Sequence, residues 1–147
     1  MVQKKENLRR MLEGQPHEHI PVSFFQHLRP EELYGEACVK AHIRFYKQTD
    51  PDFLKIMHDG LTAPVDLGLT SLEELKAYRP IKGRNPYIRE YLERALRINE
   101  SLADETDTYS NIFSPFTLLR RIGDDRLLGF LREDPQAVKD ALLFMGE

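Results

Sequence analysis

The chain has a single cysteine, no apolar run long enough to cross a membrane and no surplus of either charge. Cys38 alone cannot close an intrachain disulfide, and its setting between Ala37 and Ala41 in a helical pattern marks a buried, inert thiol rather than a redox centre. A membrane span needs roughly 18 consecutive apolar residues, whereas charged residues make up 31% of the 147 here and interrupt every run. Basic residues number 21 and acidic ones 24, interleaved for a net charge of -3, so nucleic acid is not an expected partner. The opening stretch MVQKKENLRRMLEG lacks the apolar core and small-residue cleavage site of a secretory signal, and the expected location is the cytoplasm. Repeats, low-complexity tracts and linkers are absent too. The length suits one domain, 1–147, with a real core.

What is present alternates between short apolar runs and helical patterns. Leu8, Met11 and Leu12 form one stripe of a leading helix, stopped by Gly14 and then Pro16. IPVSFFQ (20–26) reads as a strand buried on both faces. Leu33, Ala37, Cys38, Ala41 and Phe45 fall at helical spacing, ended at Thr49-Asp50-Pro51. DFLKIMHD (52–59) is a second strand candidate, bounded by Pro51 and Gly60.

Ser71 with Glu74 offers a capping box for a short helix that Pro80 ends. Asn85 and Pro86 open a longer one, with Tyr87, Ile88, Tyr91, Leu92, Ala95, Leu96 and Leu102 as its apolar face and Glu90–Arg94 and Glu93–Arg97 as i,i+4 pairs. DTYSNIF (107–113) is the third strand candidate, with Tyr109 facing inward. Three helical stretches follow, the last opened by Asp134 and Pro135.

This order is the alternation of a parallel sheet, so the class is α/β. Ligands in such folds sit beyond the carboxyl ends of strands. Those ends would gather Gln26 and His27, His58 and Asp59, and Phe113 and Ser114. Asp59 followed by Gly60 also suits a turn in which the carboxylate bonds the backbone. His27 and His58 suit a general acid with a supporting group, or two ligands of a metal with Asp59; no spacing is diagnostic of a metal and none is assigned. Phe116 and Thr117 suit either a pocket wall or one face of a packed helix. Arg120 and Arg121 read as solvated helix surface. His17 and His19 are expected in solvent.

Four segments, in order, carry a family resemblance. KKENLRRMLEGQPHEHIPVSFF, IMHDGLTAPVDLG, SPFTLL and REDPQAVKDALLFMGE resemble the N-terminal part of the uroporphyrinogen decarboxylase superfamily, which includes the decarboxylase and cobalamin-linked methyltransferases. The resemblance implies the N-terminal portion of a (β/α)8 barrel, with about three parallel strands and their helices. It also implies carboxy-lyase-type chemistry on a tetrapyrrole-like or small substrate. Asp59 matches the catalytic aspartate of the family, with His27 as its catalytic companion. Gln26, His58, Ser114, Phe116 and Thr117 would be substrate-binding.

Two departures narrow this. The arginine-rich signature after the first strand is replaced by FFQHLRPEE, which argues against uroporphyrinogen itself, since several arginines are needed to hold its carboxylates. Phe113 stands where a glycine is usual. The chain then resembles the poorly characterised branch of the superfamily. The alternative activity is corrinoid-linked methyl transfer.

A closed barrel takes about 250 residues, so the expectation is a truncated piece, inactive alone, that self-associates or needs a missing C-terminal part. The decarboxylase reading needs no cofactor; zinc and corrinoid would enter only with that part.

Overall fold

The computed structural model describes residues 3–59, 69–79 and 86–146. Seven α-helices and two three-residue strands account for its regular structure together with one 3-10 turn, and 60% of the described residues are helical. The expected barrel portion with about three parallel strands is therefore corrected to a mostly helical chain with one small parallel pair. Two compact units divide it, Met1–Leu61 with Pro86–Asn111, and Thr62–Asn85 with Ile112–Glu147.

In the first unit, α1 (Lys4–Leu12) ends where Gly14 takes φ +68°, the left-handed conformation a glycine adopts without strain. A 3-10 turn (Pro30–Glu32) leads into α2 (Gly35–Thr49). Asp50 closes α2 at φ 47°, its N–H bonded to the Tyr46 carbonyl and its carboxylate to Lys4. Strand β1 (Phe53–Lys55) follows. Helix α4 (Pro86–Leu102) then precedes β2 (Asp107–Tyr109), which pairs with β1 in parallel. The register sets Phe53 opposite Asp107, Leu54 opposite Thr108 and Lys55 opposite Tyr109. One further bond, Ile56 N–H to the Tyr109 carbonyl at 2.8 Å, carries the pairing past the strand's end.

The core of this unit lies on one side of the strand pair. Leu54 and Ile56 meet Val39 and Tyr46 of α2 and Ile98 and Leu102 of α4. The buried stripe of α4 runs Tyr91, Arg94, Ala95, Ile98 and Leu102, while Leu92 and Leu96, expected inside, are exposed. Arg94 occupies the position those leucines were expected to share. From that buried position its terminal nitrogens donate to the Leu33 and Asp59 carbonyls and to Sγ of Cys38, while its Nε has no hydrogen-bond partner among the described residues.

IPVSFFQ does not form a strand. Among the described residues a single backbone bond, Asp52 N–H to the Val22 carbonyl at 2.9 Å, links it to the approach to β1. The remaining attachment is by side chains, because the Asp52 carboxylate takes the Val22 N–H at 2.8 Å and the Asp59 carboxylate takes the Leu28 N–H at 2.9 Å. The segment thus runs in the same direction as β1, pinned at both ends, without a ladder between. Ile20, Val22, Phe24 and Phe25 are exposed instead of buried on both faces. The second run keeps strand geometry for three residues, and the third ends at Tyr109 rather than Phe113. Tyr109 is exposed, not interior.

The second unit is helical throughout its described residues: α3 (Leu72–Ala77), α5 (Pro115–Gly123), α6 (Arg126–Glu133) and α7 (Pro135–Met145). Helix α7 packs against the other three, burying Ala137, Val138 and Ala141 among Leu75, Leu119, Leu127 and Phe130. Its helix starts follow the expected chemistry. Ser71 and Glu74 form a reciprocal capping box, and the Asp134 carboxylate accepts from Ala137 N–H at 3.0 Å with Pro135 in the first turn. Pro80 and Asn85, expected to stop one helix and cap another, lie outside the described residues.

Candidate functional site

Beyond β1 the chain passes through Ile56 and Met57, both buried, and reaches His58 and Asp59, both half-buried. Asp59 is the last described residue before Gly60. Its carboxylate reaches the pinned segment: Oδ1 accepts from Nδ1 of His27 at 2.8 Å and Oδ2 from the Leu28 N–H. Burial works against the charge on Asp59, but these two bonds, with the nearby His58, outweigh it and hold the pKa below the ordinary carboxylate value.

An ionised carboxylate only accepts, so Nδ1 of His27 carries the proton and, in the neutral ring, Nε2 carries the lone pair. The His27 side chain is 80% exposed while that of Asp59 is 17% exposed. The arrangement is a sheltered carboxylate orienting an accessible base.

A twin of this pair lies at the other end of β1. Asp52 takes Nε2 of His19 at 2.8 Å on one oxygen and the Val22 N–H on the other. The environment differs on the far side of the ring, because Nδ1 of His19 faces the Asn7 amide at 3.5 Å. Asn7 is fully buried and also grips the His19 carbonyl and the Glu18 N–H. His19 is thus held at both ring nitrogens while its side chain stays 50% exposed, and His17 is exposed with it, as expected.

Behind Asp59 sits a buried polar group that the sequence pattern marked only as half of an i,i+4 pair. Arg94 is 2% exposed and donates to the Leu33 carbonyl, to the Asp59 carbonyl at 3.4 Å and to Sγ of Cys38 at 3.6 Å, with Glu90 at 3.7 Å and the Tyr91 ring beside it. The i,i+4 pairing with Glu90 read from the sequence is present, at 3.7 Å, on the buried side of Arg94. The signal that could have located it inside was its phase, in step with Tyr91, Ala95 and Ile98.

His42 was passed over, one turn after Cys38 on the buried face of α2. Its Nδ1 donates to the Cys38 carbonyl at 2.8 Å and its Nε2 accepts the Met57 N–H at 2.9 Å. Burial pushes its pKa down, as it pushes that of the Cys38 thiol up. Cys38 is fully buried, as its setting suggested, so both groups support the chain behind Asp59 rather than reach a ligand.

Of the remaining candidates, Gln26 is exposed beside His27 in sequence. Ser114, Phe116 and Thr117 belong to the second unit. There Ser114 is the N-cap of α5, accepting from Thr117 N–H at 3.2 Å and sharing a 3.0 Å bond with its hydroxyl, and Phe116 is partly exposed in the first turn. Arg121 stacks its guanidinium on the Phe113 ring at 4.1 Å.

Among the described residues, no three His, Cys, Asp or Glu side chains converge as a metal site, and no helix is long and apolar enough to cross a membrane. No family model, curated protein or solved structure matches the chain.

Proposed function

We propose that the chain carries carboxy-lyase-type chemistry on a tetrapyrrole-like or small substrate, with Asp59 as the central carboxylate and His27 as its proton-transfer partner. The resemblance to the uroporphyrinogen decarboxylase superfamily motivates the reaction class. The observation that supports it here is the His27–Asp59 contact at 2.8 Å, with the imidazole exposed and the carboxylate sheltered. Decarboxylation breaks a carbon–carbon bond, releases CO2 and leaves an electron pair that takes up one proton. A carboxylate held in its ionised form stabilises cationic character on the substrate before that bond breaks. An imidazole oriented by it exchanges the proton at Nε2.

A second reading, that the pair only fastens the 20–28 segment, is favoured by His19–Asp52, which does the same at the other end of β1. The two are separated by CO2 release from a panel of pyrrole and small aliphatic carboxylic acids. On the enzyme reading Asp59→Asn and His27→Gln each abolish turnover while the fold melts cooperatively. Turnover that survives both substitutions, or no release from any acid in the panel, leaves the fastening role alone.

A further inference from the structure

We propose that the face of the strand pair turned away from α2 and α4 binds a planar aromatic carboxylate, with Lys55 as its cation and Phe25 as its stacking ring. Side chains alternate along a strand. Leu54 is buried in the helix-facing core, so Phe53 and Lys55 point to the opposite face. The register puts Tyr109 directly beside Lys55 on that face, and the Phe53 and Tyr109 rings lie 5.3 Å apart. From the pinned segment, Phe25 brings its ring under the Lys55 ammonium at 4.2 Å, and the His27 ring meets Phe25 edge-on at 6.4 Å. One ring thus lies against the cation, two more share its face of the strand pair, and a row runs from Lys55 across Phe25 to His27.

Charge identifies what this surface accepts. Lys4, Lys5, Lys47 and Arg97 of the same unit each meet a carboxylate, whereas Lys55 makes no ion pair among the described residues. Asp107, the acid on its face of the sheet, is engaged by Lys5 at 3.3 Å. An ammonium resting on a ring face keeps N–H donors available for an anion. Phe25 is 59% exposed and Tyr109 39% exposed, apolar area that a flat ring would cover. A carboxylate without a ring forgoes that cover, and a ring without a carboxylate leaves the ammonium unmatched.

The inference rests on the proposed function only for what His27 and Asp59 then do to the ligand; the binding surface is defined without them. The test is titration of the isotope-labelled chain with benzoate, using benzamide and acetate as controls and reading the Lys55, Phe25 and Tyr109 resonances. Benzoate should give saturable shifts at all three, and each control should bind at least about tenfold more weakly, as expected when a charge-assisted bond or a ring contact is lost. Lys55→Gln should weaken benzoate by a similar factor while Lys55→Arg, which keeps the charge, retains it. Saturable shifts elsewhere only, equal binding of benzamide, or undiminished binding by Lys55→Gln overturns the assignment. CO2 release that depends on Asp59 but is accompanied by any of those three results would sink the binding surface and leave the proposed reaction standing. Lys55-dependent binding without turnover does the reverse.

Discussion

Met57 donates its backbone N–H to Nε2 of His42 at 2.9 Å, so a buried imidazole holds the stretch of chain that ends at Asp59. Since Nδ1 of the same ring faces the Cys38 carbonyl, His42 is the neutral Nδ1–H tautomer. A second proton would remove the only lone pair available to Met57 and add a charge beside Arg94.

This predicts a specific pH dependence. Burial, with the Arg94 charge, depresses the folded pKa of His42 below its ordinary value of 6.5, partly offset by the Cys38 carbonyl. The unfolded chain therefore binds a proton first as pH falls, and the stability present above about pH 6.5 is lost progressively below it. Thermal melts between pH 7.5 and 5 should show this decline. His42→Gln should be less stable at pH 7.5 by about 1–3 kcal/mol, the usual penalty for stranding a buried N–H, yet show a flatter pH profile. Equal slopes would remove His42 as the cause.

Arg94→Met tests the buried cation. The substitution strands the Leu33 and Asp59 carbonyls and leaves Glu90 without its partner on the same helix. Breaking such a group from one side costs on the order of 3 kcal/mol, read as a lower urea midpoint. Arg94→Lys should restore little, because one ammonium cannot serve carbonyls that a guanidinium reaches through separate nitrogens. A lysine variant as stable as the native chain would mean that the site needs only charge.

Much of the helical punctuation was readable from residue order alone, because the partners are close in sequence. Gly14, the Ser71 and Glu74 box, and Asp134 before Pro135 act within four residues of themselves. The failure over 20–26 has the opposite cause. Whether an apolar run joins a ladder depends on partners some 30 residues away, and here carboxylates supply what backbone groups would have supplied. Asp59 was readable as a polar residue at a strand's end, and its companion His27 was named, but the bond between them was not. Arg94 was named only as the partner of Glu90 and His42 not at all, although both keep step with buried neighbours.

The two carboxylates that pin the segment should act alike on stability and differently on chemistry. Burial opposes ionisation of Asp52 and of Asp59, and backbone and histidine bonds outweigh it in each, so both pKa values lie below the ordinary 3.8. Their contribution is complete above about pH 3.8 and disappears as pH falls through the lower folded values. Asp52→Ala and Asp59→Ala should each lower stability at pH 7 by about 1.5–3 kcal/mol, the range for bonds to a charged group. The double variant should lose the steep acid limb of the wild-type unfolding curve. Only the Asp59 substitution should touch turnover; an equal loss on substituting Asp52 would show that the segment's position, not the carboxylate's chemistry, is what activity requires.

The sidedness of β1 provides the last prediction, and it bears on every assignment made to the exposed face. Leu54 is fully buried against Val39, Ile98 and Leu102, whereas its neighbour Lys55 lies on the other side with its ammonium on the Phe25 ring. Leu54→Ala removes buried methyl groups and leaves a cavity that the paired strands and two helices cannot close, at about 2–5 kcal/mol. Lys55→Ala removes a cation–π contact at the surface and should change stability by less than about 1 kcal/mol. Chemical denaturation of the two variants measures the difference directly. Comparable losses would mean that Lys55 and Phe25 are packed as part of a second core, in which case the aromatic face is structural and has no room for a ligand.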